Sequence, residues 1–432
     1  MDRRNRIILI IAAGAVLLCF LSLVIRPIRE GIATRLETWR ARVYYIISPP
    51  EDVVFLPIEA TAAAYATKQA ELFGGSAPTP TFFLQPTLDP SVAATPIPDV
   101  TATPLPASAS IAGIPYVSQH GLWNYCAPST LAMALSYEGW VGDRTQIGNA
   151  VKPVETDKNV MMGELVDYVN TQTHLKAIYR YGGDLQLIKS LVAAGFPVLI
   201  EKGTFIHETA TGRLSWMGHY NLISGYDDNQ RTFIVQDAYY SADYPIAYSV
   251  IEEEWRGFNN VFMVVYAPAE EAQLKQALGA WQDVPASVQL AAQTAYTEIS
   301  TTVELNQFFA WYNLGSSMQL SGDSRGAAGA FDTAFQLYPS LPPERRPFRV
   351  LWYRDEAYQA YYTMAQYQHV IDLATANLDT AVEPCMEESL YWRGLAYRAL
   401  GDYSAARADL EKSLTCHPGY APSQQALAQM GN

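Results

Sequence analysis

Residues 114–140 read IPYVSQHGLWNYCAPSTLAMALSYEGW. Cys126 stands two places before Pro128, at the head of an apolar run with helical spacing, and Gln119 stands seven places before the cysteine. Proline suits the first turn of a helix, where its missing N–H would have no partner anyway. The pattern predicts a helix over 127–138 with Cys126 at its positive end, where a thiolate is stabilised. A thiolate attacks carbonyl carbon, and the reaction needs a base, a group to orient the base, and donors for the oxyanion that forms. The side-chain amide of Gln119 and the backbone N–H of Cys126 would supply two such donors.

The base must be one of six histidines, at 120, 174, 207, 219, 369 and 417. His369 and His417 lie in a helical C-terminal region, and His120 would have to fold back across a short loop. His219 opens GHYNLISGYDDNQRTFIVQDAYY (218–240), which reads as a β-hairpin. If its loop is Asp227–Asn229, His219 faces Asp237 directly across the strands, with Cβ atoms about 4.5–5.5 Å apart. A four-residue loop would shift that register and weaken the pairing. In the first register the carboxylate holds the imidazole and stabilises its charged form. No Cys/His cluster has metal-ligand spacing, so no metal site is expected.

Around these residues, helix-like runs cover 127–138, 160–171 and 184–194. Strand-like runs cover 197–201, 219–226, 232–238 and 261–267. Helices followed by strands predict an α+β domain over 111–267. Trp123, Trp140, Trp216 and the Tyr239-Tyr240 pair would either line a cleft or, as aromatic residues more often do, fill the core. EEEW (252–255) reads as a solvated helix start.

The order Gln, Cys, His, Asp is similar to that of papain-like cysteine peptidases. The segments IPYVSQ…WNYCAPSTLAMAL, GHYNLISGYD and IVQDA resemble the bacteriocin-processing, double-glycine-leader peptidase-like family, over residues 112–267. The resemblance implies a papain-like fold and cofactor-free hydrolysis of a peptide or protein substrate. It implies Cys126 as nucleophile, His219 as general base and acid, Asp237 as orienting group and Gln119 in the oxyanion hole. Two positions depart from the family pattern: Ala127 stands where Cys-Gly-Pro is usual, and Ala238 where proline usually follows the aspartate. Ala127 would hinder activity if that glycine serves a positive φ, and would be harmless in an ordinary helix. Nothing in the chain resembles an export transporter, so the leader-peptide substrate does not carry over. Beside the peptidase reading stand a catalytically silent peptide-binding scaffold and a thiol acyltransferase or amidase using the same triad.

From 268 to 432 the pattern is helical and repetitive. AWYNLGSSMQLSGDSRGAAGAFDTAFQLYP (310–339) is echoed by YWRGLAYRALGDYSAARADLEKSLTCHP (391–418), so that Gly315, Gly322 and Pro339 recur 79 residues later as Gly394, Gly401 and Pro418. A degenerate unit lies between them. Trp311, Leu314, Gly315, Gly322, Ala327, Phe331, Ala334 and Pro339 resemble the tetratricopeptide signature, with units at about 308–341, 350–380 and 387–420. That implies an all-α repeat domain, serving as a protein-partner surface or as a stabilising appendage. Cys385 and Cys416 flank the last helical hairpin at one end, so a disulfide is geometrically possible, with two unpaired thiols as the alternative.

The N-terminus predicts a single-pass membrane anchor. After a short basic stretch (1–6), Ile7 to Ile25 is 19 residues without a charge, long enough to cross the hydrocarbon core at about 1.5 Å per residue. Residues 26–75 form a juxtamembrane segment, amphipathic where Ile28, Ile32, Leu36, Trp39, Val43 and Ile47 recur at helical spacing. Residues 76–110 are a Thr/Pro-rich linker. Flanking arginines favour a cytoplasmic body and the stalk-like linker an extracytoplasmic one; the linker is the stronger indication. The net charge is −14; eight arginines against three acids in residues 1–42 leave −19 on the remainder, which repels phosphate backbones and excludes nucleic acid as a partner.

Overall fold

Two long strands carry the centre of the α+β region. The computed structural model describes residues 39–40, 42–47, 49–50, 55, 105–155, 157–208 and 212–431. The anchor at 7–25, most of the juxtamembrane segment and the linker up to residue 104 lie outside them. Among the described residues no helix is long and apolar enough to cross a membrane.

Val198–His207 (β3) and Leu214–Asp227 (β4) pair antiparallel without interruption from Val198↔Ile223 to His207↔Leu214. Ser108–Ser110 (β1), Lys176–Arg180 (β2), Thr232–Gln236 (β5), Tyr244–Ala247 (β6) and Phe262–Tyr266 (β7) complete an all-antiparallel sheet. Its order is β2-β7-β3-β4-β5-β6, with β1 beside β4. Successive residues alternate faces along a strand, and here both faces are covered, so the strands read as continuous apolar runs. Leu199, Leu222, Met263 and Val265 pack with Ala127, Leu131 and Leu135 of Cys126–Tyr137 (α1). Val198, Ile200, Ile223 and Val264 pack on the other face with Leu187, Ile188 and Leu191 of Leu185–Ala193 (α4). Each such Leu, Ile, Val or Met side chain, fully buried, contributes about 1.5–3 kcal/mol.

Several elements differ from the sequence reading. Arg144–Val151 (α2), outside the expected helical runs, begins at Asp143, whose side chain caps the N–H groups of Thr145 and Gln146. Met162–Gln172 (α3) matches a predicted run. β2, β6 and Tyr248–Trp255 (α5) were not anticipated. EEEW ends α5 instead of starting a helix: Trp255 is fully buried, and Glu254 binds Lys202 and Thr204. Residues 108–110, assigned to the linker, are β1 and pair with 225–227 of β4.

After Glu271–Leu278 (α6), long helices follow: Val284–Thr301 (α7), Glu304–Leu320 (α8), Ser324–Leu337 (α9), a single turn at Val350–Tyr353 (α10), Glu356–Thr363 (α11), Tyr367–Asp379 (α12), Glu387–Ala399 (α13), Tyr403–Cys416 (α14) and Ala421–Met430 (α15). The repeat is physical as well as textual. Asp323 and Asp402 cap α9 and α14 by accepting from the N–H three residues on, and Gly322 and Gly401 before them have φ of +89° and +86°, which favours glycine. Cys385 and Cys416 form a disulfide with Cα atoms 5.3 Å apart.

The helices do not hang free of the sheet. Trp216 of β4, 1% exposed, stacks on Phe258 and touches Phe309 of α8 and Tyr353 of α10. Buried Arg354 donates to Gly257 O (3.1 Å), Asn313 Oδ1 (2.7 Å) and Ser316 Oγ (2.7 Å). One hydrophobic core runs from Leu131 through Phe258 to Phe308, Phe331 and Tyr361. Part of the juxtamembrane segment also docks: Tyr44 donates to Asp379 O at 3.0 Å, Tyr45 is buried, and Trp39, Ile46 and Ile47 remain exposed.

Candidate active site

Cys126 is the first residue of α1, partly exposed and without a disulfide partner. Its side chain lies within hydrogen-bonding reach of His219. His219 sits in β4, 3% exposed, and its Nε2 is 2.9 Å from Asp237 Oδ1, which leaves Nδ1 for the thiol. Asp237 is fully buried. Its Oδ1 also accepts from the N–H groups of Tyr239 (2.9 Å) and Tyr240 (3.1 Å), and its Oδ2 accepts from Asn221 Nδ2 at 2.8 Å.

The two partners meet by a route other than the direct pairing predicted. The hairpin loop has four residues, 228–231, and next to it the partner numbers sum to 459, as in Asp227↔Thr232. Continued unbroken, that register would put His219 and Asp237 on opposite faces of the sheet. A bulge between Ile223 and Gly225 shifts the ladder to Ile223↔Val235 and Leu222↔Gln236. One step further, Asn221 stands opposite Asp237, and His219 lies diagonally from it on the same face. Asn221, which the sequence reading missed, is thus legible only once the register is known.

The electrostatics follow from this packing. Burial alone would drive the proton from His219; the hydrogen bond and charge of Asp237, with Cys126 beside the ring, more than reverse this and raise its pKa to about 9. Burial acts to raise Asp237, and the hydrogen bond and charge of His219, then Asn221 and the Tyr239 N–H, outweigh it and hold the carboxyl well below the usual range.

Gln119 is tied by its backbone N–H to Ala238 O at 2.8 Å, next to Asp237, and its Oε1 is buried without a hydrogen-bond partner. Ala127 takes an ordinary helical conformation, so the Gly-to-Ala departure meets no backbone conflict. His120 is exposed and engaged by Tyr239 O at 2.8 Å. Trp140 and Trp216 belong to the core, whereas Trp123 and Tyr240 are about half exposed.

Beside Cys126 a cleft is lined by Asn124, Lys152, Asn159, Glu201, Gly218 and Tyr353, among others. Glu201 accepts from Tyr220 Oη at 2.9 Å, and burial drives its pKa well above the carboxylate range. Tyr353 comes from the helical region and is hydrogen-bonded by the Gly218 backbone. A Cβ on Gly218 would lie 2.9 Å from Phe258, 3.2 Å from Glu201 Oε1 and 3.3 Å from the Tyr353 ring. No periodicity in the sequence links Tyr353 to this cleft, since it lies more than 130 residues from any other lining residue.

The fold is therefore a mixed α/β cysteine-peptidase-type domain joined to helical repeats. Residues 111–263 match the Peptidase_C39 like family, and residues 387–420 match the tetratricopeptide repeat; the chain carries a C39-like domain followed by such repeats. Among solved structures it is similar to one described as a C39-like peptidase from Bacillus anthracis, at 18% identity over 37% of this chain and 96% of that one, TM-score 0.30. It is also similar to xylellain, a cysteine protease from Xylella fastidiosa, at 14% identity over 42% and 90%, TM-score 0.30. Curated relatives include FK506-binding protein-like proteins of Rattus norvegicus (30% identity over 121 residues, 27% of this chain and 33% of that protein) and Homo sapiens (31% over 118 residues, 27% and 32%). The chain spans about a third of the length of these curated relatives.

Proposed function

We propose that this chain is a cysteine peptidase that hydrolyses peptide bonds through Cys126, His219 and Asp237. The observation that carries the reading is a thiol at a helix N-terminus in reach of an imidazole that a buried carboxylate keeps protonated. The thiolate of Cys126 adds to the scissile carbonyl carbon. The resulting oxyanion is held by the Cys126 backbone N–H and the Gln119 amide. His219 gives its proton to the departing amine and leaves a thioester. The now neutral His219 takes a proton from water as it attacks the thioester; hydroxyl addition releases the acid and regenerates thiolate and imidazolium.

The ordinary helical backbone at Ala127 removes the reason for preferring a silent scaffold. We further infer an anchor at 7–25 that holds the body outside the cytoplasm, where the Cys385–Cys416 disulfide is stable, and a repeat surface that recruits protein partners.

The test is the pH profile of Cys126 alkylation in the full-length chain, with peptide mapping. Alkylation well below the reference thiol pKa of about 8.5, lost in His219→Ala, is expected. Gln119→Ala leaves that profile unchanged but slows peptide hydrolysis by about 100- to 1000-fold. An ordinary thiol curve indifferent to His219 overturns the reading.

A further inference from the structure

The last repeat meets the cleft-lining loop at a second cluster of ionisable groups. His417, the C-cap of α14, places Nδ1 3.0 Å from Glu387 Oε1, 3.2 Å from Asp157 Oδ2 and 3.8 Å from Glu164 Oε1. One imidazole N–H faces three carboxylates and can be donated to only one of them; Glu387 Oε1 takes it. Asp157 and Glu387 are both 0% exposed; Glu387 Oε2 accepts no hydrogen bond, and Asp157 Oδ2 has only the shared Nδ1 of His417 at 3.2 Å. A single imidazolium cannot match the carboxylates of Asp157, Glu387 and Glu164 together, and burying the excess negative charge is costly unless a further cation meets it. Lys152 does not do so: its Nζ donates to the backbone carbonyls of Val154, Glu155 and Asp157. Glu388, also buried, is held by Asn159 Nδ2.

We propose that Asp157, Glu387 and His417 bind a divalent transition-metal cation, which displaces the proton of His417 Nδ1 to solvent and clamps the last repeat to loop 152–161. One donor atom from each lies within 4.8 Å of the others. Donors bound at about 2.1 Å are separated by about 3.0 Å along an octahedral edge and about 3.4 Å along a tetrahedral one, so the observed 3.0 and 3.2 Å need little adjustment. Two carboxylates with one imidazole suit Mn2+ or Zn2+. The disulfide supports the site from behind: Cys416 is adjacent to His417 and Cys385 lies two residues before Glu387, so the two helix ends that present the ligands are covalently tied. The third ligand comes from a loop whose Lys152 and Asn159 line the cleft beside Cys126. Cation binding thereby fixes one wall of that cleft.

The experiment uses the full-length chain carrying Cys126→Ala, so that no free thiolate competes, stripped with a chelator and titrated calorimetrically with Mn2+ and Zn2+. Unit stoichiometry is expected, with affinity reduced at least about tenfold by Asp157→Asn and by His417→Ala and unchanged by Glu344→Gln at an exposed acid. Circular dichroism checks that the variants fold. Independently of any variant, hydrogen exchange in the parent should slow in loop 152–161 on adding Mn2+. Absence of binding, undiminished binding by folded variants, or cation-dependent protection that spares loop 152–161 overturns the proposal.

Discussion

Buried almost completely, His219 keeps its proton because Asp237 faces it, and Asp237 keeps its charge because His219, Asn221 and two backbone N–H groups face it. The pH dependence has opposite signs for the two. His219 is raised from 6.5 to about 9, so its contribution to stability is complete below about pH 6.5 and is lost as pH rises through about 9. Asp237 is depressed, so its contribution is present above the unfolded value of about 3.9 and is lost as acid protonates the folded carboxyl. The pair stabilises most between about pH 4 and 6.5. Asp237→Asn keeps the volume and removes the charge, and burial then strips His219 of its proton at neutral pH. The expected outcome is a rise in the pH of half-maximal Cys126 alkylation towards about 8.5, read from the same profile. An unchanged midpoint would show that the carboxylate charge is not what holds the imidazolium.

At the scale of elements, α1 and the β4–β5 hairpin do the positioning. The apolar run after Pro128 made α1 legible, because proline in the first turn and apolar residues at helical spacing are local signals. The hairpin was legible as a hairpin, but its register was not. A bulge depends on how two strands and a loop settle together, and the sequence carries no period that marks it. Ala127 tests how α1 works. Its side chain is 1% exposed in a helical position, so Ala127→Gly restores the family's usual residue at a loss of about 1 kcal/mol in helix propensity plus lost packing. Denaturant unfolding should show that loss while the alkylation rate changes little. A marked gain in reactivity with Ala127→Gly would mean that the methyl obstructs the cleft.

At the scale of the whole molecule, the sheet and the repeats share one core, and Arg354 is one of the polar ties between them. Its guanidinium, 4% exposed, joins α8 to the turn after α5 through three hydrogen bonds. Arg354→Met leaves Asn313 Oδ1 and Gly257 O unsatisfied at a buried interface, for an expected loss of about 3 kcal/mol. Unfolding is expected to remain a single transition, since no boundary in the core separates the two regions. Two transitions in the wild-type chain, followed separately by near-ultraviolet dichroism and by hydrogen exchange, would contradict that. Tyr353 gives the shared core a functional side: a residue of the repeat region lines the cleft next to Cys126.

Composition, local spacing and family resemblance carried much of this protein. They supplied a thiol at a helix start, a histidine on a strand, an aspartate on the return strand, and repeats whose glycines and prolines recur at a fixed interval. Each of these is local or periodic, and short-range sterics write them into neighbouring residues. The diagonal His219–Asp237 contact, Asn221 behind it, Tyr353 in the cleft and the Asp157–Glu387–His417 cluster are of another kind. They join residues tens to hundreds of positions apart, and only the closing of a common core brings such groups within reach of one another.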